Sequence, residues 1–330
     1  MALVPDIIRL LPRWRYCGVC ITDHPPRCKA VLRKIVLAAV LYMLAALPAL
    51  HAKPATHDRE YFRAIVTNHF AVPTGASAFA LTQELTPWLA SPDPILRDDL
   101  AYTILDIWIR HGMLTDAQLL TLVPPLQQNL TAGIGESGTD SVFNRSYSAL
   151  TLASLEQRNL ERPFLSPAQY RDLFNAALTY LRDERDNRGF DPSKGWVHSA
   201  AHTADLLAAL AHDPRFTPAD QQSLFAAVEY RLRSAPGIYS YGEQGRLGVA
   251  LLFVITRDDF QIAAFQNWLA ALQQDSVVWQ KWPPDPVQLA LFENHTYLLE
   301  AMLARMPSRT PLSPAASQAR DAIREALRNR

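Results

Sequence analysis

The sequence predicts an all-α protein of about a dozen helices built as stacked hairpins, and three observations predict it. No stretch past residue 52 alternates apolar and polar residues in the way a half-buried strand does. Helix-start signals recur at Asp93-Pro94, Thr115-Asp116, Ser166-Pro167, Thr217-Pro218 and Ser313-Pro314. A short polar side chain there accepts the free N–H groups of a first turn, and a proline just after it loses no hydrogen bond. Third, those signals repeat. Thr115, Ser166 and Thr217 are spaced by 51 residues, and Ser313 follows after 96, close to two further periods. A period near 50 that holds two helices is the mark of an α-solenoid, a HEAT-like array or a closed α/α toroid.

In chain order, residues 1–52 stand apart from the rest. Arg33 and Lys34 precede an uninterrupted apolar run, residues 35–47, which Pro48 ends and Ala49-Leu50-His51-Ala52 follows. That layout is a secretory signal peptide cleaved after Ala52, behind an unusually long N-terminal extension. The run is shorter than the roughly 20 apolar residues that span a bilayer, so no stable membrane span is expected in the mature chain. The alternative is an uncleaved anchor through residues 35–50. Cys17, Cys20 and Cys28 all precede the run, so the exported part is expected to be free of disulfides. The expected location is therefore periplasmic or secreted, with residues 53–330 forming one all-α repeat domain.

Charge divides at the same point, with a balance of +5 over residues 1–52 and −5 over the remainder. A mildly acidic exported domain offers no electrostatic case for nucleic acid. Its partner is expected to be an unidentified ligand or protein.

Within the domain, Leu165-Ser166-Pro167-Ala168 and Phe216-Thr217-Pro218-Ala219 each lead into a Leu-Phe pair and then an Ala-Ala pair, which is the best-matched copy of the repeat. The partner helices fall at 97–110, 142–157, 197–211, 246–256 and 287–305. Near their beginnings stand Asp98, Arg145, His198, Arg246 and Asn294-His295, at separations close to 50 residues. Equivalent positions of a solenoid line one surface. Arg145, His198, Arg246 and His295 are thus candidates for one concave face, with Glu243 and Glu293 nearby, and such a face would favour an anionic carboxylate or phosphate ligand. Against this stands a structural reading in which Arg145 and Arg246 cap carbonyls or pair with acids of the next hairpin. Gly112 and Gly133 are placed to end helices.

The stretch from Gly195 to Leu207 is the one place where ionisable residues gather on one face of an apolar helix. At about 3.6 residues per turn, His202 lies about 40° round from His198 and Asp205 about 20° the other way, and His212 continues the stripe. Two imidazoles at i and i+4 can reach one ion, so His198 and His202 are candidate ligands for a divalent metal such as zinc. Ser199, however, stands where zinc peptidases carry their glutamate base. His198, His202 and Asp205 are equally candidates for metal-free catalysis, or for a polar stripe with no chemistry. Trp196, an aromatic residue beside small ones, is a lid, a stacking platform or core. Just upstream, residues 181–191 mismatch a calcium loop and read as the end of a helix plus a structured loop whose acids lean over the site.

Tyr180-Leu181, Glu184, Asp186, Arg188-Gly189-Phe190, Gly195-Trp196, His198, Ala201-His202 and Ala204-Asp205-Leu206 together resemble the signature of an uncharacterised bacterial family catalogued as a domain of unknown function. Arg145-Ser146, Ala149-Leu150 and Arg246 are similar too. The resemblance covers most of the exported chain and implies a helical fold; it brings no activity, substrate or cofactor. Two functions are expected from these residues. One is an exported helical-repeat protein that binds a polar or anionic ligand, or a protein partner, in a groove centred on the Gly-Trp-x-His-x-x-x-His helix. The other is a periplasmic hydrolase using His198 or His202 as base or metal ligand, with Arg145 or Arg246 steadying negative charge.

Overall fold

In the computed structural model, which describes residues 57–306 and 312–330, these residues are almost entirely helical. The expected signal segment, its cleavage point and the three cysteines lie outside the described residues. Twelve α-helices are described: α1 (Arg59–Thr67), α2 (Ala78–Leu85), α3 (Thr103–Arg110), α4 (Asp116–Asn129), α5 (Ser141–Glu161), α6 (Pro167–Asp183), α7 (Ser199–His212), α8 (Pro218–Arg233), α9 (Glu243–Ile255), α10 (Ile262–Leu272), α11 (Pro286–Arg305) and α12 (Pro314–Arg328). Among the described residues no helix is long and apolar enough to cross a membrane.

The start signals act as caps. Thr115, Ser166 and Thr217 each accept the third backbone N–H of the helix that follows, while the residue at that third position reaches back to the cap's own N–H. Each pairing satisfies two N–H groups that helix geometry leaves free. Ser313 caps α12 in the simpler way. The 51-residue spacing therefore falls on equivalent points of α4, α6 and α8. Asp93 accepts from Ile95 N at 2.9 Å, but the turn it opens is π-helical, residues Ile95–Tyr102, and runs directly into α3.

Packing sorts the helices into two sets. α3, α5, α7, α9 and α11 pack in succession, each against the next, and α6, α8, α10 and α12 do the same. The sets meet where sequence neighbours pair, α4 on α5 and α6 on α7 among them. α7 lies between α5 and α9 and is buried at every position except Asp205 and His212. Its alanines make this possible, because a methyl group lets the neighbouring helices approach where a longer side chain would hold them off. Leu206, Leu207 and Leu210 fill the remaining space with no exposed surface. A helix this apolar is held by packing, so its few polar atoms need named partners.

Between α6 and α7 the chain forms a loop and a two-residue hairpin, β1 (Phe190–Asp191) paired antiparallel with β2 (Gly195–Trp196), which the sequence did not suggest. The loop is pinned from below. Arg145 makes a bidentate pair with Glu184, at 2.6 and 3.2 Å, and donates to the carbonyls of Ala132 and Gly133. Arg231 donates to Glu184 O at 2.5 Å, and Ser199 Oγ to Asp186 O at 2.6 Å. Arg97 fastens the hairpin: it lies over the rings of Phe143 and Tyr147 and donates to Ser91 O and Lys194 O. At Gly189 any Cβ would collide with Glu243 and with the Tyr241 side chain, so only glycine lets the loop pass.

Candidate functional site

A cleft opens beside α7. One part, about 430 Å³, is walled by Tyr102, Asp106, His202, Asp205, Arg246 and Phe253; the other, about 470 Å³, by Asp98, Asp99, Trp196, His198, Tyr241 and the same Tyr102, His202 and Arg246. The π-helical turn supplies Asp98, Asp99 and Tyr102. Its wider backbone spacing is a distortion that recurs at working sites.

His202 stands at the junction of the two parts, 5% exposed. Ser146, from α5, fixes its protonation. The Ser146 hydroxyl lies 2.5 Å from Val197 O and 2.8 Å from His202 Nδ1. A carbonyl can only accept, so the single hydroxyl proton goes to Val197, and Nδ1–H of His202 must donate to Ser146. The ring is therefore the neutral Nδ1–H tautomer. Its Nε2 lone pair has no protein partner among the described residues and belongs to a ring that lines both parts of the cleft. Burial holds His202 well below the usual histidine range, and the charges of His198, Arg246 and Arg97 push the same way.

His198 departs from the expected stripe. It is the N-cap of α7, not a helical residue, with φ 46° and ψ 33° in the left-handed region. The hairpin bends the chain there, so His198 and His202 meet edge to face with ring centres 5.6 Å apart. His198 Nε2 donates to Tyr241 O at 3.2 Å, and its ring stacks on Trp196 at 4.3 Å. Burial lowers its pKa to about 4. Among the described residues no three His, Cys, Asp or Glu side chains are grouped closely enough to hold an ion.

Asp205 pairs with Arg246 across from α7 to α9. Burial raises Asp205 to about 6, against the pull of that guanidinium. Asp98 is likewise raised by burial, although Tyr147 and Arg97 favour its ionised form. Tyr102 is pushed up to about 12 by burial and by the nearby charges of Asp106 and Asp205.

The other candidates divide. Trp196 and Arg246 line the cleft, Trp196 with 43% of its surface open. Arg145 does not reach it: fully buried, it spends its donors on Glu184, two carbonyls and Ser141, as the structural alternative has it. Glu243 is buried at the start of α9, where its carboxylate accepts from Tyr241 N at 2.9 Å. His295 lies on α11 and faces Asp275 at 2.7 Å, with Arg330 on the same carboxylate, away from the cleft. The one-surface expectation fails for Arg145 and His295 because helix-start positions also carry the caps and clamps that hold neighbouring helices. Missing from the sequence reading were Tyr102, Tyr147 and Tyr241, while Ser146 entered only through the family resemblance and with no role. The spacing of Asp98, Tyr102 and Asp106, four residues apart each time, puts them on one stripe and was a usable signal.

The family model described as "Protein of unknown function (DUF2785)" matches residues 130–304, more than half of the chain, which belongs to that family. No curated protein and no solved structure matches the chain.

Proposed function

We propose that this DUF2785 member binds a small polar ligand in the cleft beside α7, with the neutral His202 Nε2 as the acceptor at its centre. The observation that carries this reading is the unpartnered lone pair on an almost wholly buried ring. An acceptor that opens onto a cleft and meets no protein donor among the described residues is available to a donor on a ligand. Trp196 and Tyr241 supply the apolar wall of such sites, and a few convergent polar groups supply their orientation. An anionic ligand is the less favoured version, because Arg145 is absent from the cleft and Arg246 is already paired with Asp205. Export, expected from the N-terminal apolar run, belongs to this reading, and N-terminal sequencing of exported material that begins at Lys53 would support it, whereas residues before Ile35 found there would contradict cleavage.

The test is a ligand-observed NMR screen of the full chain against small neutral, anionic and cationic polar compounds, repeated with His202→Gln and Arg246→Ala. The reading expects compounds whose binding is lost in His202→Gln while the fold, followed by circular dichroism, is retained. Binding that ignores both substitutions, or no binding at all, contradicts it.

A hydrolytic reading is favoured by the same atom. An unprotonated Nε2 facing a cleft is what a general base needs, and Asp205 beside it changes charge near pH 6. With His198 Nε2 committed to Tyr241 O, this version uses His202 as base rather than the two histidines as a zinc pair. Turnover abolished by His202→Gln, with unchanged metal content, would move it ahead of simple binding.

A further inference from the structure

Phe190, Trp196 and Tyr241 are exposed by 38, 43 and 49% and touch one another at the mouth of the cleft. Three large rings left open beside one cavity mark a surface kept for contact. The polar side of the same cavity is rich in acceptors: Asp98, Asp99, Asp205 and the His202 Nε2. Its guanidiniums, Arg246 and Arg110, pair with Asp205 and Asp106, and Arg97 pairs with Asp98, which leaves the exposed Asp99 as the one of these carboxylates without an ion pair among the described residues. The complementary ligand therefore brings several hydrogen-bond donors, little charge, and one flat apolar face.

A cation would need ring faces surrounding a single point, with uncompensated negative charge behind them. Here His198 already covers one face of Trp196, and Phe190 and Tyr241 stand nearly perpendicular to it, at 70° and 80°, so a flat ligand lies on one ring with the others as side walls. A pyranose fits one such open ring face. Its axial C–H bonds carry slight positive charge toward an electron-rich ring face, and its equatorial hydroxyls point outward to acceptors.

We propose that the ligand is a carbohydrate, with the C–H face of a sugar ring on Trp196, Tyr241 as a side wall, and its hydroxyls donating to Asp98, Asp99 and His202; this rests on the reading of the cleft as a ligand site and names the ligand's class. The test is calorimetric titration of the full chain with a panel of neutral mono- to tetrasaccharides of hexoses and N-acetylhexosamines, with tetramethylammonium and inorganic phosphate as controls. At least one saccharide should bind. Trp196→Ala should weaken it about tenfold or more, whereas Trp282→Ala, at an exposed position that does not line the cleft, should not. Should Trp196→Ala melt early, Asp99→Ala at an exposed position is the second variant, and it too should weaken binding. No saccharide binding, affinity unchanged in the variant that folds, or displacement of the sugar by tetramethylammonium overturns the proposal. A non-saccharide ligand that needs His202 would overturn this inference alone and leave the ligand site standing.

Discussion

Replacing Ser146 by alanine removes one hydroxyl, and the consequence can be worked from three atoms. The hydroxyl donates to Val197 O and accepts from His202 Nδ1–H, and Ser146 has no exposed surface. Its loss leaves a buried carbonyl and a buried imidazole N–H with no partner. Each such group costs about 1–3 kcal/mol, so the variant should lose about 2–6 kcal/mol and melt roughly 5–20 °C earlier. Ser148→Ala is the internal comparison, because that buried hydroxyl accepts only from Asn129 Nδ2 at 3.0 Å; it should lose about 1 kcal/mol. Urea unfolding of the two variants beside the parent reads the difference directly. Ser146→Ala no less stable than Ser148→Ala would refute the relay, and with it the assignment of the His202 tautomer.

Three further outcomes follow from the same geometry. Glu156 is wholly buried beside Asp213 and raised to about 8, so the folded state holds its proton more tightly than the unfolded chain; stability falls as pH rises from 4.5 through 8, and Glu156→Gln should be the more stable protein at pH 9 by about 1–3 kcal/mol in chemical denaturation. His198 works in the opposite sense: its pKa is lowered from 6.5 to about 4, so its stabilising contribution is whole above pH 6.5 and is lost as pH falls toward 4. Asp205, raised to about 6, gains stability over part of that window and masks the loss, so Asp205→Asn should show a steeper acid decline in Tm than the parent, and parallel declines would contradict it. Gly189→Ala should cost about 2 kcal/mol or more, since the Cβ meets Glu243 and Tyr241; a Tm matching the parent's would mean the loop moves aside freely.

The helices and most of their starts were legible because capping is local: Thr115, Ser166 and Thr217 do at close range what their side-chain chemistry predicts. α7 was legible as well, but its first residue was not. His198 takes a left-handed conformation because the hairpin, held by Arg97 across 97 residues of sequence, delivers the chain at that angle. Helical spacing cannot foresee a bend imposed from elsewhere. Arg145 and His295 show a second limit, since one pattern of charged residues near helix starts serves both clefts and clamps. What separates them is the supply of partners together with access: Glu184 and two carbonyls wait for Arg145 and Asp275 for His295, whereas His202 Nε2 meets no protein donor among the described residues and opens onto the cleft. The family signature divides the same way, with Glu184, Asp186 and Gly189 holding the loop while Trp196, His202 and Asp205 face the cleft.

The most direct test of the account is a long-range proton–nitrogen NMR spectrum of the full chain with ¹⁵N-labelled histidine, recorded across about pH 5 to 8 and assigned with His202→Gln. His202 should show a protonated Nδ1 and an unprotonated Nε2 throughout that range, because burial keeps the ring neutral and Ser146 fixes the proton. A ring that takes up a second proton near pH 6.5, or that carries its proton on Nε2, would contradict the claim that a free lone pair faces the cleft.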